Sequence, residues 1–179
     1  MKKRILLLII MISLLFVVSG CNKSTTTKKK DDLKTIELND KNHGFNTTFY
    51  YSKNEKYEVK EQTGGKYKEI IIKNEKNNLE FDIYYFEILD KNYESSKLTR
   101  KESEGFKEYK WGDYKGYIYN ANKYSLNFNI LLRKQTGDKS AVGIFGEVSA
   151  LNYSKADVVT DFNKKEIQDL LSSIIFNEK

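Results

Sequence analysis

Leu79-Glu80-Phe81-Asp82-Ile83-Tyr84-Tyr85-Phe86 is the stretch that decides the fold. Leu79, Phe81, Ile83 and Tyr85 alternate with Glu80, Asp82, Tyr84 and Phe86, a period of two that places successive side chains on opposite faces of a strand. One of those faces is clearly apolar. Leu126, Phe128 and Ile130 alternate with Asn127 and Asn129 in the same way. Tyr67–Lys73 follows the turn signal Gly64-Gly65, and Tyr114–Ala121, Ala141–Ser149, Thr47–Tyr51 and Tyr57–Gln62 complete the strands read from pattern. Thr35–Leu38 adds an edge. An aromatic content of 13%, from 13 Tyr, 10 Phe and 1 Trp, suits a pleated, half-buried surface.

Two segments read as helices. Asp90–Glu104 is charged, with Tyr93 and Leu98 as its apolar contacts. In Ser154–Ser172 the residues Val158, Val159, Phe162, Ile167, Leu170 and Leu171 recur near helical spacing, while Lys164, Lys165, Glu166 and Asp169 fall outside the stripe. Ser154 or Asp157 supplies a cap. Ser173-Ile174-Ile175-Phe176 then ends the chain as a short strand or a docked tail. Together these elements predict an α+β domain, an antiparallel β-sheet with two helices packed on it. An offset of forty-seven residues lays Lys66–Ile83 on Asp113–Ile130, matching Tyr67 with Tyr114, Leu79 with Leu126 and Phe81 with Phe128. A duplicated unit and two hairpins obeying one alternation both account for that echo.

The order of several strands, a helix, more strands and a late amphipathic helix resembles the PsbP-like sandwich fold. The residues carrying the resemblance are Gly44-Phe45 before the first long strand, Gly116-Tyr117 in a central strand, and the ending Leu171-Ser172-Ser173-Ile174-Ile175-Phe176. The functions of that family are diverse, so the resemblance implies a fold and no chemistry.

The amino-terminal end carries an address. Met1–Arg4 is positive, Ile5–Val18 is apolar, and Ser19-Gly20-Cys21 supplies small residues before a cysteine. The apolar run is short for a membrane span, which needs about 20 such residues. Val18, Ser19, Gly20 and Cys21 match the lipobox, so the segment resembles the signal peptides of bacterial lipoproteins. The resemblance implies a diacylglyceryl group on the Cys21 thiol and cleavage before Cys21. Residues 1–20 are then a signal peptide, 21–32 a lipidated cysteine with a flexible polar tether, and 33–179 a single domain. Two acyl chains on one residue anchor stably. The tether is Ser, Thr, Lys and Asp and lacks the apolar surface needed to fold.

Charge excludes one class of partner. Of the formal +6, Lys2, Lys3 and Arg4 carry three charges and residues 22–32 a net two, which leaves the domain from Leu33 with one. A near-neutral domain lacks the basic footprint of nucleic-acid binding. The membrane-proximal lysines are placed to touch anionic lipid.

Chemistry is scarce in the sequence. Cys21 is the single cysteine and His43 the single histidine, so no His/Cys zinc site and no Ser-His or Cys-His pair is expected. His43, in Asn42-His43-Gly44, reads as a turn residue. Glu80, Asp82 and Glu87 lie on or near one strand. They would serve a hydrolase only across a cleft, with one pKa raised, and otherwise read as a solvated face. Asp31, Asp32, Asp138 and Asp161 lack calcium-loop spacing. No metal, cofactor or enzymatic role is expected.

The aromatics remain. Tyr84-Tyr85-Phe86 and Phe49-Tyr50-Tyr51 must occupy both faces of their strands, either in a two-sided core or with one face exposed. The hairpin around Trp111-Gly112-Asp113 crowds Tyr109, Trp111 and Tyr114, and these three are the candidate binding surface, since a large aromatic beside a glycine turn is often exposed. The expected function is a non-enzymatic binding or accessory module, lipid-anchored on the extracytoplasmic side of the cell membrane, contacting an envelope protein or wall polymer. The alternative is a carrier of a small hydrophobic or lipid ligand held between sheet and helix.

Overall fold

The alternating stretch becomes β5, the inner strand of one arm of a large antiparallel sheet. The computed structural model describes residues 32–64 and 67–178. In chain order they form β1 (Leu33–Asp40), β2 (Phe45–Ser52), β3 (Glu58–Gly64), β4 (Tyr67–Asn74), β5 (Leu79–Ile88) and α1 (Asp90–Arg100). There follow β6 (Lys107–Trp111), β7 (Tyr114–Tyr119), β8 (Ser125–Arg133), β9 (Ala141–Ala150), α2 (Val158–Phe162), α3 (Lys165–Ser172) and β10 (Ile175–Glu178). The architecture is α+β and mostly antiparallel strand. The single sheet expected from pattern is two: a three-stranded sheet ordered β1-β2-β10 and a seven-stranded sheet ordered β3-β4-β5-β9-β8-β7-β6. The chain end is a strand because Ile175–Glu178 pairs with Phe45–Thr48 of β2.

The two echoing hairpins lie on either side of β9, with β5 and β8 as its direct neighbours. The meander β3-β4-β5 thus faces the meander β8-β7-β6 across one strand.

Alternation gives the large sheet one apolar face and one mixed face of aromatics, carboxylates and asparagines, and each is covered differently. Phe81, Ile83 and Tyr85 of β5 join Ile70, Ile72, Phe128, Ile130 and Ile144 in the main core. The small sheet closes over that face with Leu38, Phe45 and Phe49, and α2 and α3 with Phe162, Ile167 and Leu171. Each fully buried large side chain contributes about 1.5–3 kcal/mol. Tyr85 ties the sheets together, donating its phenol to the Leu38 carbonyl (2.7 Å) and lying 2.9 Å from Thr47 Oγ1. The opposite face holds a smaller cluster of Tyr93, Tyr117 and Tyr119 under α1. Of the consecutive aromatics, Phe49 and Tyr85 are buried in the main core, while Tyr84 and Phe86 lie half-buried on the α1 face. A Cβ at Gly146 would overlap the Phe128 ring, so that ring lies flat on the backbone of β9.

Both helices differ from their expected bounds. α1 stops at Arg100, and Leu98 is 60% exposed instead of making an apolar contact. The late helix is broken at Asn163-Lys164. There the Asn163 amide donates to the Val159 carbonyl and the Gln168 amide to the Phe162 carbonyl, each at 2.7 Å. Those side chains satisfy the last carbonyls of α2, and the chain turns before α3 begins. Asp157 caps α2 by accepting the Thr160 amide at 3.3 Å.

Candidate functional site

The hairpin proposed from sequence as a binding surface is part of the core. Trp111 is 1% exposed. Gly112 has φ +60°, and a Cβ there would strike the Ser172 carbonyl, so the turn packs on the end of α3 instead of projecting into solvent. The Trp111 indole donates to Gln168 Oε1 (2.9 Å) and stacks on Tyr109 with ring centroids 4.8 Å apart. Tyr109, half-buried, donates to Asn163 Oδ1 at 2.7 Å, and the Tyr114 phenol accepts the Phe176 amide at 3.2 Å. Tyr109, Trp111 and Tyr114 fasten α2, α3 and β10 to the sheet; they do not form an exposed patch.

A concave site lies on the other face. Tyr84, Phe145, Asn129 and Tyr117 sit in one row across β5, β9, β8 and β7, because strand register pairs Tyr84 with Phe145, Phe145 with Asn129, and Asn129 with Tyr117. Phe86 is the next residue of β5 on the same face. A Cβ at Gly143 would overlap its ring, so this glycine sets the floor of the site. α1 crosses above and supplies Tyr93, Ser96 and Arg100. Sheet and helix together enclose a cleft of about 270 Å³.

The lining is aromatic with a few placed polar groups, the composition of a ligand site. Tyr84 and Phe145 rings lie 5.0 Å apart, and Tyr93 and Tyr117 rings 5.7 Å. Asn129 donates to the Tyr117 phenol at 2.7 Å, and the Arg100 guanidinium rests over the Tyr119 ring at 4.8 Å. Burial holds the phenols of Tyr84, Tyr93, Tyr117 and Tyr119 above their ordinary pKa, so they stay neutral hydrogen-bonding groups.

One pleat from Tyr84 stands Asp82, directly across from Glu147 on β9. Its carboxyl is pushed up to about 7 by burial first, then by the neighbouring Glu69 carboxyl, then by the Glu147 and Glu80 charges. A raised carboxyl is one requirement of a glycosidase. The other is a second acid facing it across a gap of about 5–10 Å. Glu69 and Glu147 stand on the strands adjoining Asp82, on the same sheet face as its carboxyl.

No family model, curated protein or solved structure matches the chain.

A second polar centre was not legible as a site. Asp40 ends β1 and is 2% exposed. Its carboxylate accepts the amides of Asn42, His43 and Lys68 at 3.1–3.3 Å and lies 3.0 Å from His43 Nδ1. Burial works against the charge, but the His43 hydrogen bond and these amides outweigh it and hold the carboxyl below 3.8. This arrangement fixes the β1–β2 turn against β4. Its sequence signal is an aspartate two residues before the amide it caps, in Asp40-Lys41-Asn42-His43-Gly44. No grouping of three or more His, Cys, Asp and Glu among the described residues suits a metal ion, and no described helix is long and apolar enough to cross a membrane. Val18, Ser19, Gly20 and Cys21 lie outside the described residues.

Proposed function

We propose that this chain is a bacterial lipoprotein, held by lipid on Cys21 to the extracytoplasmic side of the cell membrane. It acts there as a non-enzymatic binding module. The anchor rests on Val18-Ser19-Gly20-Cys21 after the apolar run Ile5–Val18, and on the polar tether that follows. Binding rests on one observation: the aromatic cleft between α1 and the sheet, where half-buried Tyr84 and Phe145 stand in a row with Asn129, beside Phe86 and Arg100, and Tyr117 is buried at the end of the row. Such a row accepts a flat ring or an aromatic side chain of an envelope partner, with Arg100, Asn129 and the phenols fixing its orientation. Helices on both faces of an antiparallel sheet support the PsbP-like sandwich as the parent arrangement.

A second reading, a carrier of a small hydrophobic ligand, draws on the same position of the cleft between helix and sheet. In-cell photo-crosslinking from Tyr84, with Leu98 as exposed control, separates the two. One reproducible protein adduct at Tyr84 and none at Leu98 supports the module. A small-molecule adduct at Tyr84 supports the carrier, and no adduct at Tyr84 rejects both. For the anchor, Cys21→Ala abolishes palmitate labelling and leaves uncleaved precursor; labelling that persists in the variant refutes it.

A further inference from the structure

A groove runs along the end of the large sheet where β3 and β5 begin and β4 and β9 finish. Two adjoining hollows of about 480 and 510 Å³ share Glu58, Lys73, Glu75 and Lys76. No residue lining them also lines the cleft under α1. At one end Tyr51 and Tyr57 meet edge to face, 4.8 Å apart. Near the other, Tyr124 (46% exposed) and Tyr153 (63% exposed) tilt together with centroids 5.7 Å apart, and Lys123 lies over Tyr124. Reciprocal bonds between Asn78 and Asn152 hold the Tyr153 turn beside the groove: Asn78 Nδ2 donates to the Asn152 carbonyl at 3.0 Å, and the Asn152 amide to Asn78 Oδ1 at 2.7 Å.

Five lysines line the hollows against three glutamates. Lys73 is engaged by Glu80, and Lys76 by Glu55 and Glu166. Lys34, Lys56 and Lys155 have no ion pair among the described residues. The hollows carry three lysines without ion pairs against Glu58 and Glu75, which also have none among the described residues, and the channel ends beside the exposed Tyr124 and Tyr153, outside its lining. A concave channel with a surplus of ammonium groups and an exposed tyrosine pair at its end suits a chain of rings carrying acidic groups. A flat lipid surface would call for a convex or level basic patch free of glutamates.

We propose that this groove binds a linear acidic glycan of the envelope, its rings stacking on Tyr124 and Tyr153 and its phosphates or carboxylates meeting Lys34, Lys56 and Lys155. The site is distinct from the cleft and does not depend on it; that the glycan belongs to the envelope rests on the proposed lipoprotein anchor, which the binding measurements below do not require. Carbohydrate rings present a C–H face to the tyrosines, and each acidic group gains a charge-assisted hydrogen bond from an ammonium.

The test uses the full chain, immobilised, with phosphomannan, uncharged mannan and anionic phosphatidylglycerol vesicles as analytes. Phosphomannan binds at least tenfold tighter than mannan, and its affinity falls with added salt. Tyr124→Ala with Tyr153→Ala, and separately Lys34→Ala, Lys56→Ala and Lys155→Ala together, each weaken it at least tenfold. All five positions are exposed, and an unchanged thermal melt shows that the fold is kept. Failure to bind phosphomannan, or equal binding by either variant, overturns the proposal. Vesicle binding lost in the lysine variant but kept in the tyrosine variant assigns the groove to a lipid surface and also overturns it.

Discussion

The two faces of the large sheet carry similar aromatic content and use it differently. On one face, Tyr85, Phe128 and Trp111 are sealed by the small sheet, α2 and α3, and each is at most 1% exposed. On the other, an eleven-residue helix with a single buried residue, Tyr93, covers only part of the surface and leaves Tyr84 and Phe145 half-buried. The contrast shows that cover, not composition, decides whether an aromatic is sealed in the core or keeps an open face. A ring with atoms packed on every side can offer nothing to a ligand. A ring left with one open face can.

The largest effect belongs to the sealed face. Trp111→Ala removes a packed indole and its bond to Gln168, and lowers unfolding free energy by about 3–5 kcal/mol in denaturant titration. A loss below about 1 kcal/mol would erase the distinction between the faces. Asp40→Ala comes next, since it strands three part-buried backbone amides at a cost of about 1–3 kcal/mol at neutral pH. Its pH dependence has a definite sign. The folded carboxyl titrates below its ordinary 3.8, so its contribution is present above that pH and is lost as pH falls through the folded value. The variant loses that part of the acid slope.

Asp82 behaves in the opposite sense. Its folded pKa, about 7, stands above the ordinary 3.8, so stability is full below the lower value and falls as pH rises through the higher. Asp82→Asn therefore stabilises at pH 8 by about 1 kcal/mol, a value reduced for solvent screening. Thermal melts across pH check it, and a variant less stable than the parent at pH 8 would contradict the like-charge account. Leu98→Glu, on the open side of α1, changes stability by no more than about 0.5 kcal/mol. A larger loss would mean that α1 is more tightly covered than its exposure indicates.

Much of this was legible in residue order. The alternation from Leu79 to Phe86 specified β5 and its apolar face, and the consecutive Tyr84-Tyr85-Phe86 required aromatics on both sides. What alternation cannot state is which face acquires a lid. Trp111 beside Gly112 looked exposed because the groups that bury it, Gln168 and the Ser172 carbonyl, come from a helix far along the chain. The separate small sheet is not written in local pattern for a related reason, since β2 finds one of its two partners in Ile175–Glu178, far along the chain. The break at Asn163-Lys164 depends on Gln168 reaching back to the Phe162 carbonyl, a tertiary choice that an apolar stripe does not encode. The acidic neighbourhood of Asp82 arises from Glu69 and Glu147 on flanking strands, which become its neighbours only through register.

The proposed function requires the α1 face to recognise a partner while the opposite face holds the fold together. A spectrum of the full chain with ring-labelled tyrosines, recorded before and after addition of envelope extract, separates the two faces. The Tyr84 signal is expected to shift while Tyr85 and Tyr109 on the opposite face stay in place. Shifts confined to Tyr85 and Tyr109, with Tyr84 unmoved, would contradict that division.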